Sequence, residues 1–169
     1  MGHPGIDEEI TRSEIDVAID RGKSLERVER RREQLYDVML RLEQALAAPG
    51  ASDRSEWQTD LLAKCDEFGV VLEDHINGTE GQGGLFEDVA ERSPRLISRV
   101  DRLRAEHESL QQAAERLRSA LLSGPFTDAE LDSARAAGLA LLGELARHRQ
   151  HGADLLHEAY WVDVGEHGD

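Results

Sequence analysis

The sequence predicts an all-α chain folded as an up-down-up-down four-helix bundle. Three observations carry that expectation. Apolar residues recur at alternating steps of three and four along four long segments, the spacing of a bundle seam. Start and stop residues bracket those segments. The connections between them are short, which favours antiparallel neighbours.

Composition agrees with this reading. Hydrophobic residues make up 39% of the 169 positions, charged residues 33% and aromatics only 4%. That balance suits amphipathic helices better than packed sheets. The length fits one domain with a real core, and with only 4 prolines long helices are permitted. The formal net charge of −15 argues against a nucleic-acid partner, because phosphate binding needs a basic face. It argues equally against adsorption to an anionic membrane. No stretch approaches the roughly 20 apolar residues of a membrane span. The segment Met1-Gly2-His3-Pro4-Gly5 lacks an apolar signal core. The single cysteine, Cys65, has no internal disulfide partner, so the expected compartment is reducing cytoplasm.

The elements follow in chain order. Residues 1–23 read as a mobile N-terminal arm carrying Gly2, Pro4 and Gly5, with a short helical turn through Ile10, Ile15 and Ile19. The bundle itself is expected over residues 24–165. Helix one starts near Ser24, a good N-cap residue. It runs through Leu25, Val28, Leu35, Met39, Leu42 and Leu46 to the stop at Pro49-Gly50. One seam position in that run is charged: Arg32. Helix two starts near Ser52 or Ser55, with a stripe of Trp57, Leu61, Cys65, Phe68, Leu72 and His75. Asn77-Gly78 is expected to end or distort it. After the turn Gly81-Gln82-Gly83-Gly84, the residues Leu85, Phe86, Val89 and Ala90 suggest a short helix over one end of the bundle. Helix three opens with Ser93 and Pro94 and carries Leu96, Val100, Leu103, His107, Leu110, Ala114, Leu117 and Leu121 to Gly124-Pro125. Helix four starts at Thr127, which forms a capping box with Glu130. Its stripe is Leu131, Ala134, Gly138, Leu141, Leu145, His148, Gly152, Leu155 and Ala159. The apolar tail from Tyr160 to Val164 is expected to fold back, and residues 166–169 to form a frayed acidic end.

His75, His107 and His148 occupy seam positions on three different helices, where leucine normally sits. Each buried imidazole needs its own partner, and one shared metal ion would satisfy all three. Imidazole suits iron, zinc, copper or nickel, and bundle cores build such sites from facing helices. Glu80, beside the glycine-rich turn, is either a carboxylate for the same site or a solvated loop residue. His151, three residues after His148, is expected at the seam's edge near water.

The segments His75-Ile76-Asn77-Gly78-Thr79-Glu80-Gly81, Gly84-Leu85-Phe86-Glu87, Arg104-Ala105-Glu106-His107 and Arg147-His148-Arg149-Gln150, with Glu158-Ala159-Tyr160 and Asp163 after them, carry a family likeness. Over roughly residues 24–165 the chain resembles the hemerythrin-like (HHE cation-binding) proteins. That resemblance implies a four-helix bundle around a non-haem di-iron centre that binds dioxygen or senses oxygen, nitric oxide or redox state. Carried over by position, it assigns His75 and Glu80 to helix two, His107 to helix three and His148 to helix four as metal ligands. The departures are specific. Arg32 stands where the family places a helix-one histidine, Gln111 replaces the second histidine of helix three, and Ala153 replaces the helix-four aspartate. The expected metal set is therefore His75, Glu80, His107 and His148, holding one or two non-haem iron ions, another divalent metal or none. Arg32 is expected to stand in for the lost metal charge and to pair with Glu80 or another inward acid. Counting residues from the turns sets His107 and His148 at different heights, roughly 10 Å apart at helical rise, with Glu144 nearer the level of His107.

The function expected from these residues is metal binding of hemerythrin type, with a reduced or single-metal site and a small diatomic ligand, dioxygen or nitric oxide. The alternative is a structural or protein-interaction bundle that has lost the centre. No nucleophile–base pair, phosphate loop or catalytic carboxylate pair is evident, so an enzyme is not expected. Apolar area on the tail allows a homodimer.

Overall fold

The computed structural model describes residues 12–48, 53–123 and 126–162, and it contains no strand among them. Four long helices form the bundle: α1 (Arg12–Ala47), α2 (Arg54–Glu80), α4 (Ile97–Leu122) and α5 (Asp128–His157). A short helix, α3 (Leu85–Arg92), lies between α2 and α4. α1 packs on α2 and α5, and α4 packs on the same two helices, so the ring is closed. No described helix is long and apolar enough to cross a membrane.

The seams predicted from spacing are the faces that are buried. In α2, Trp57, Leu61, Cys65, Phe68, Leu72 and His75 are all buried, joined by Thr79. α5 buries Leu131, Ala134, Gly138, Leu141, Leu145, His148 and Leu155. α4 follows its stripe with one shift, burying Ala113 in place of Ala114. In α1, Val38 takes the buried place expected of Met39, which is half-buried.

Capping fixes where the helices begin. The Asp53 carboxylate accepts from the Glu56 amide at 3.0 Å and starts α2, close to the expected serines. Trp57 Nε1 donates to the Ala45 carbonyl at 2.9 Å and ties the start of α2 to the end of α1. Thr127 and Glu130 form the expected capping box of α5. Ser93 and Pro94 open a 3₁₀ turn, Pro94–Leu96, before α4 begins at Ile97.

Two boundaries differ from the sequence reading. α1 begins at Arg12 rather than near Ser24, so residues 12–23, assigned to the arm, continue the first helix. Residues 1–11, like the expected acidic end at 166–169, lie outside the described residues. α2 also passes through Asn77-Gly78 without a break and stops at Gly81. Gly78 instead makes room for a neighbour: a Cβ there would meet the Arg31 guanidinium at 2.5 Å. Arg31 crosses α2 at that point to reach Asp74 at 3.0 Å. The turn that follows uses Gly83 at φ 69°, a conformation that glycine adopts without steric penalty.

The apolar interior has two parts. The larger cluster runs from Trp57 and Leu121 at one end up to Leu35, Leu72, Leu110 and Leu145. The smaller one holds Phe86 and Val89 of α3 with Leu96, Val100, Leu103, Leu155 and Ala159. After α5 the chain makes a π-helical turn, Glu158–Val162, which closes onto α3. There Tyr160 donates to Asp88 at 2.5 Å, and Glu158 meets Arg99 at 2.5 Å. On each of α2, α4 and α5, a histidine stands where one apolar cluster gives way to the other.

Candidate metal centre

His75, His107 and His148 come together at that level, each offering a ring nitrogen within 4.8 Å of the others. Ring centroids lie 5.2 Å apart for His75 and His107, 5.5 Å for His75 and His148, and 4.7 Å for His107 and His148. The helical repeat explains the placement. Leu72 and His75, Leu103 and His107, and Leu145 and His148 are three or four residues apart, so each imidazole stacks over a core leucine on its own helix. The expected difference in height between His107 and His148 is not found. Part of the expected difference lies in the turn: α4 ends at Leu122 and α5 starts only at Asp128, so counting both helices from one residue overstates it.

The outer nitrogens are held by glutamates. His107 Nδ1 lies 2.5 Å from Glu80 Oε1, and His148 Nδ1 lies 3.1 Å from Glu106 Oε2. A carboxylate accepts only, so each imidazole donates Nδ1–H and keeps its lone pair on Nε2. The Nε2 atoms of His148 and His75 are 3.3 Å apart. His107 Nε2 and His75 Nδ1 are buried with no hydrogen-bond partner among the described residues. Buried nitrogens without partners are uncommon. Here two lie in one cluster.

Electrostatics keep the rings neutral. Burial, followed by the neighbouring histidines and then by Arg32 and Arg31, pulls His75 down to about 3. Burial and then His148 bring His107 to about 3. His148 is also lowered, chiefly by burial, although Glu106 opposes the shift. Neutral imidazole is the form that ligates metal.

Glu80 reaches the cluster from behind, through His107, and does not join the three-histidine group. Burial raises its pKa, with Arg104 opposing. This also corrects the expected role of Arg32. Glu80 sits at the end of α2 and turns toward α4, diagonally across from α1. Arg32 makes no ion pair among the described residues and lines a cavity of about 30 Å³ beside His75 and His148. Glu144 is engaged by Ser109 and Arg116 and stands apart from the cluster.

Sequence reasoning missed Glu106. It bridges two histidines, taking His148 on one oxygen and His151, at 2.6 Å, on the other. His151 thus lies outside the layer, 38% exposed. The available signal was position: the residue just before a seam histidine flanks the neighbouring antiparallel helix.

Comparison with protein-family models, with curated proteins and with solved structures finds no match for this chain.

Proposed function

We propose that the protein binds a single divalent transition-metal ion through His75, His107 and His148. One observation carries the reading: two of the three imidazoles are turned by glutamates so that their Nε2 lone pairs face inward, and His107 Nε2 meets no partner there. Carboxylate–histidine pairing of this kind orients and strengthens metal ligands. Three nitrogen donors suit zinc, iron, cobalt or copper, and leave a position open. An ion held this way supplies a Lewis-acid centre. Glu80 and Glu106 act as positioning residues. The rings stay neutral between two apolar clusters.

Iron as the ion, and dioxygen or nitric oxide as the ligand, belong to the same proposal through the hemerythrin-like resemblance. So does a cytoplasmic setting, in keeping with the one buried cysteine. The missing ligands at Arg32, Gln111 and Ala153 favour one ion over two.

Elemental analysis of protein purified without chelators tests the reading, beside His107→Ala prepared identically. About one ion per chain in the parent and none in the variant is the expected result. Two irons per chain would exclude a single-ion site. No uptake of zinc, iron, cobalt or copper by the parent would favour the second reading, a structural or interaction bundle without a centre. That reading draws support from Arg32, a cation placed beside His75 and His148.

A further inference from the structure

The cavity beside the histidines has its own chemistry. Arg32, His75, His148, Arg149 and Gly152 line it, and both cations border a space walled otherwise largely by apolar side chains. A larger groove of about 600 Å³ adjoins it and shares Val28, Arg32 and Leu156 with it. Arg32 therefore stands where the outer groove meets the inner cavity.

Neither arginine forms an ion pair among the described residues. Arg149 lies over the Tyr36 ring, 4.1 Å from its centroid. Stacking occupies the face of a guanidinium and leaves its N–H edge free. Arg31, beside Arg32, is taken by Asp74. Burial, and then the charge of Arg149, lower Arg32 from its ordinary pKa. Glu29 lines the outer groove and acts on Arg32 only through space. Glu80 and Glu106 are engaged by His107 and by His148 and His151. In a chain of net charge −15, two cations without an ion-pair partner among the described residues border one apolar cavity, a setting that suits an anion.

Gly152 supplies the room. It lies four residues after His148 on the same face of α5, inside the helix, where glycine costs roughly 1 kcal/mol relative to alanine. A Cβ there would touch nothing within 4 Å, so close packing does not explain it. What the glycine does is leave the cavity open beside the imidazole.

We propose that this cavity is a binding site for a small monovalent oxyanion of formate size, held by Arg32 and Arg149. The volume of about 30 Å³ equals two to three water positions, which sets the limit near three non-hydrogen atoms. The site needs no metal, and so stands apart from the ion proposed above.

The test uses the full-length metal-free protein, ¹⁵N-labelled, titrated with sodium formate against sodium chloride at equal ionic strength. Saturable shifts of the Arg32 and Arg149 Nε–H signals and of the amides around Gly152 are expected. Arg32→Gln and Arg149→Gln should each weaken formate binding at least tenfold. Gly152→Leu, which keeps both cations and fills the space, should abolish it. Thermal melts check that each variant is folded. Formate shifts no different from those of chloride, or unchanged in folded Gly152→Leu, would overturn the site. A second titration, on Co²⁺-loaded protein, separates the two readings. Cobalt uptake with visible bands unmoved by formate, and no shifts in the metal-free protein, refutes the anion site and leaves the metal site standing. Saturable shifts without cobalt uptake do the reverse.

Discussion

Glu106 lies between His148 and His151 and bonds to both, one carboxylate oxygen to each imidazole. A single side chain of α4 thereby sets the tautomer of a buried histidine on α5 and links it to a second histidine at the surface. Removing that charge should be felt by any ion the cluster binds, although Glu106 lies outside the three-histidine group.

Glu106→Gln keeps the shape and loses the anionic acceptor. Zinc affinity, measured by competition with a chromophoric chelator, should fall roughly 10–100-fold, the usual effect of losing such a partner. The Tm of the metal-free protein should change little. Equal losses of affinity and of metal-free stability would point to a packing role only.

Acid should weaken the metal-free protein in a definite window. His75 and His107 titrate near 6.5 in the unfolded chain but are held to about 3 when folded. Between those values the unfolded state binds more protons, so stability is present above 6.5 and falls as pH falls toward 3. The urea midpoint should drop between pH 7.5 and 5.5, where most carboxylates are still ionised. His107→Leu should flatten that slope. An equal slope in the variant would remove the histidines as its source.

Much of this was legible beforehand. Seam spacing placed His75, His107 and His148 inside, because one register dictates both leucine burial and histidine burial. Thr127 and Glu130 announced the start of α5 because capping is local chemistry. Distances between helices are not local. The shared level of His107 and His148 depends on how α4 and α5 pack against each other, and the partner of Glu80 depends on which helix faces the end of α2. Asn77-Gly78 read as a break because an isolated glycine does not reveal whether it serves a turn or a crossing side chain, here Arg31.

Gly138 of α5 leaves room for the Leu46 side chain of α1. A Cβ at that position would fall 2.5 Å from Leu46 Cδ2. Gly138→Ala gains roughly 1 kcal/mol of helix propensity and incurs about 1–3 kcal/mol of overpacking, so a lower Tm is expected. Leu46→Val in the same chain should recover part of the loss. A raised Tm in the single variant would show that Leu46 gives way freely.

Cys65 should be inert in the native state. Burial, with Asp66 adding to it, pushes its thiol up to about 11, and its Sγ lies 3.6 Å from the Ala114 carbonyl. Thiolate is the reactive form, so disulfide reagents at pH 8 should modify Cys65 only at the rate at which the protein opens. Rapid modification under native conditions would contradict the burial.

The histidine layer also bears on how the molecule comes apart. It forms a polar partition across an otherwise apolar interior, and contacts between the two compartments pass through three imidazoles. Charging those rings places like charges face to face at the partition. The end built from α3, the start of α4 and the last turn of α5 can then exchange its amide hydrogens as a separate unit, ahead of the larger compartment. An ion bridging the rings would join the two into one cooperative block. The same three residues would then govern both what the protein binds and whether it unfolds in one step or two.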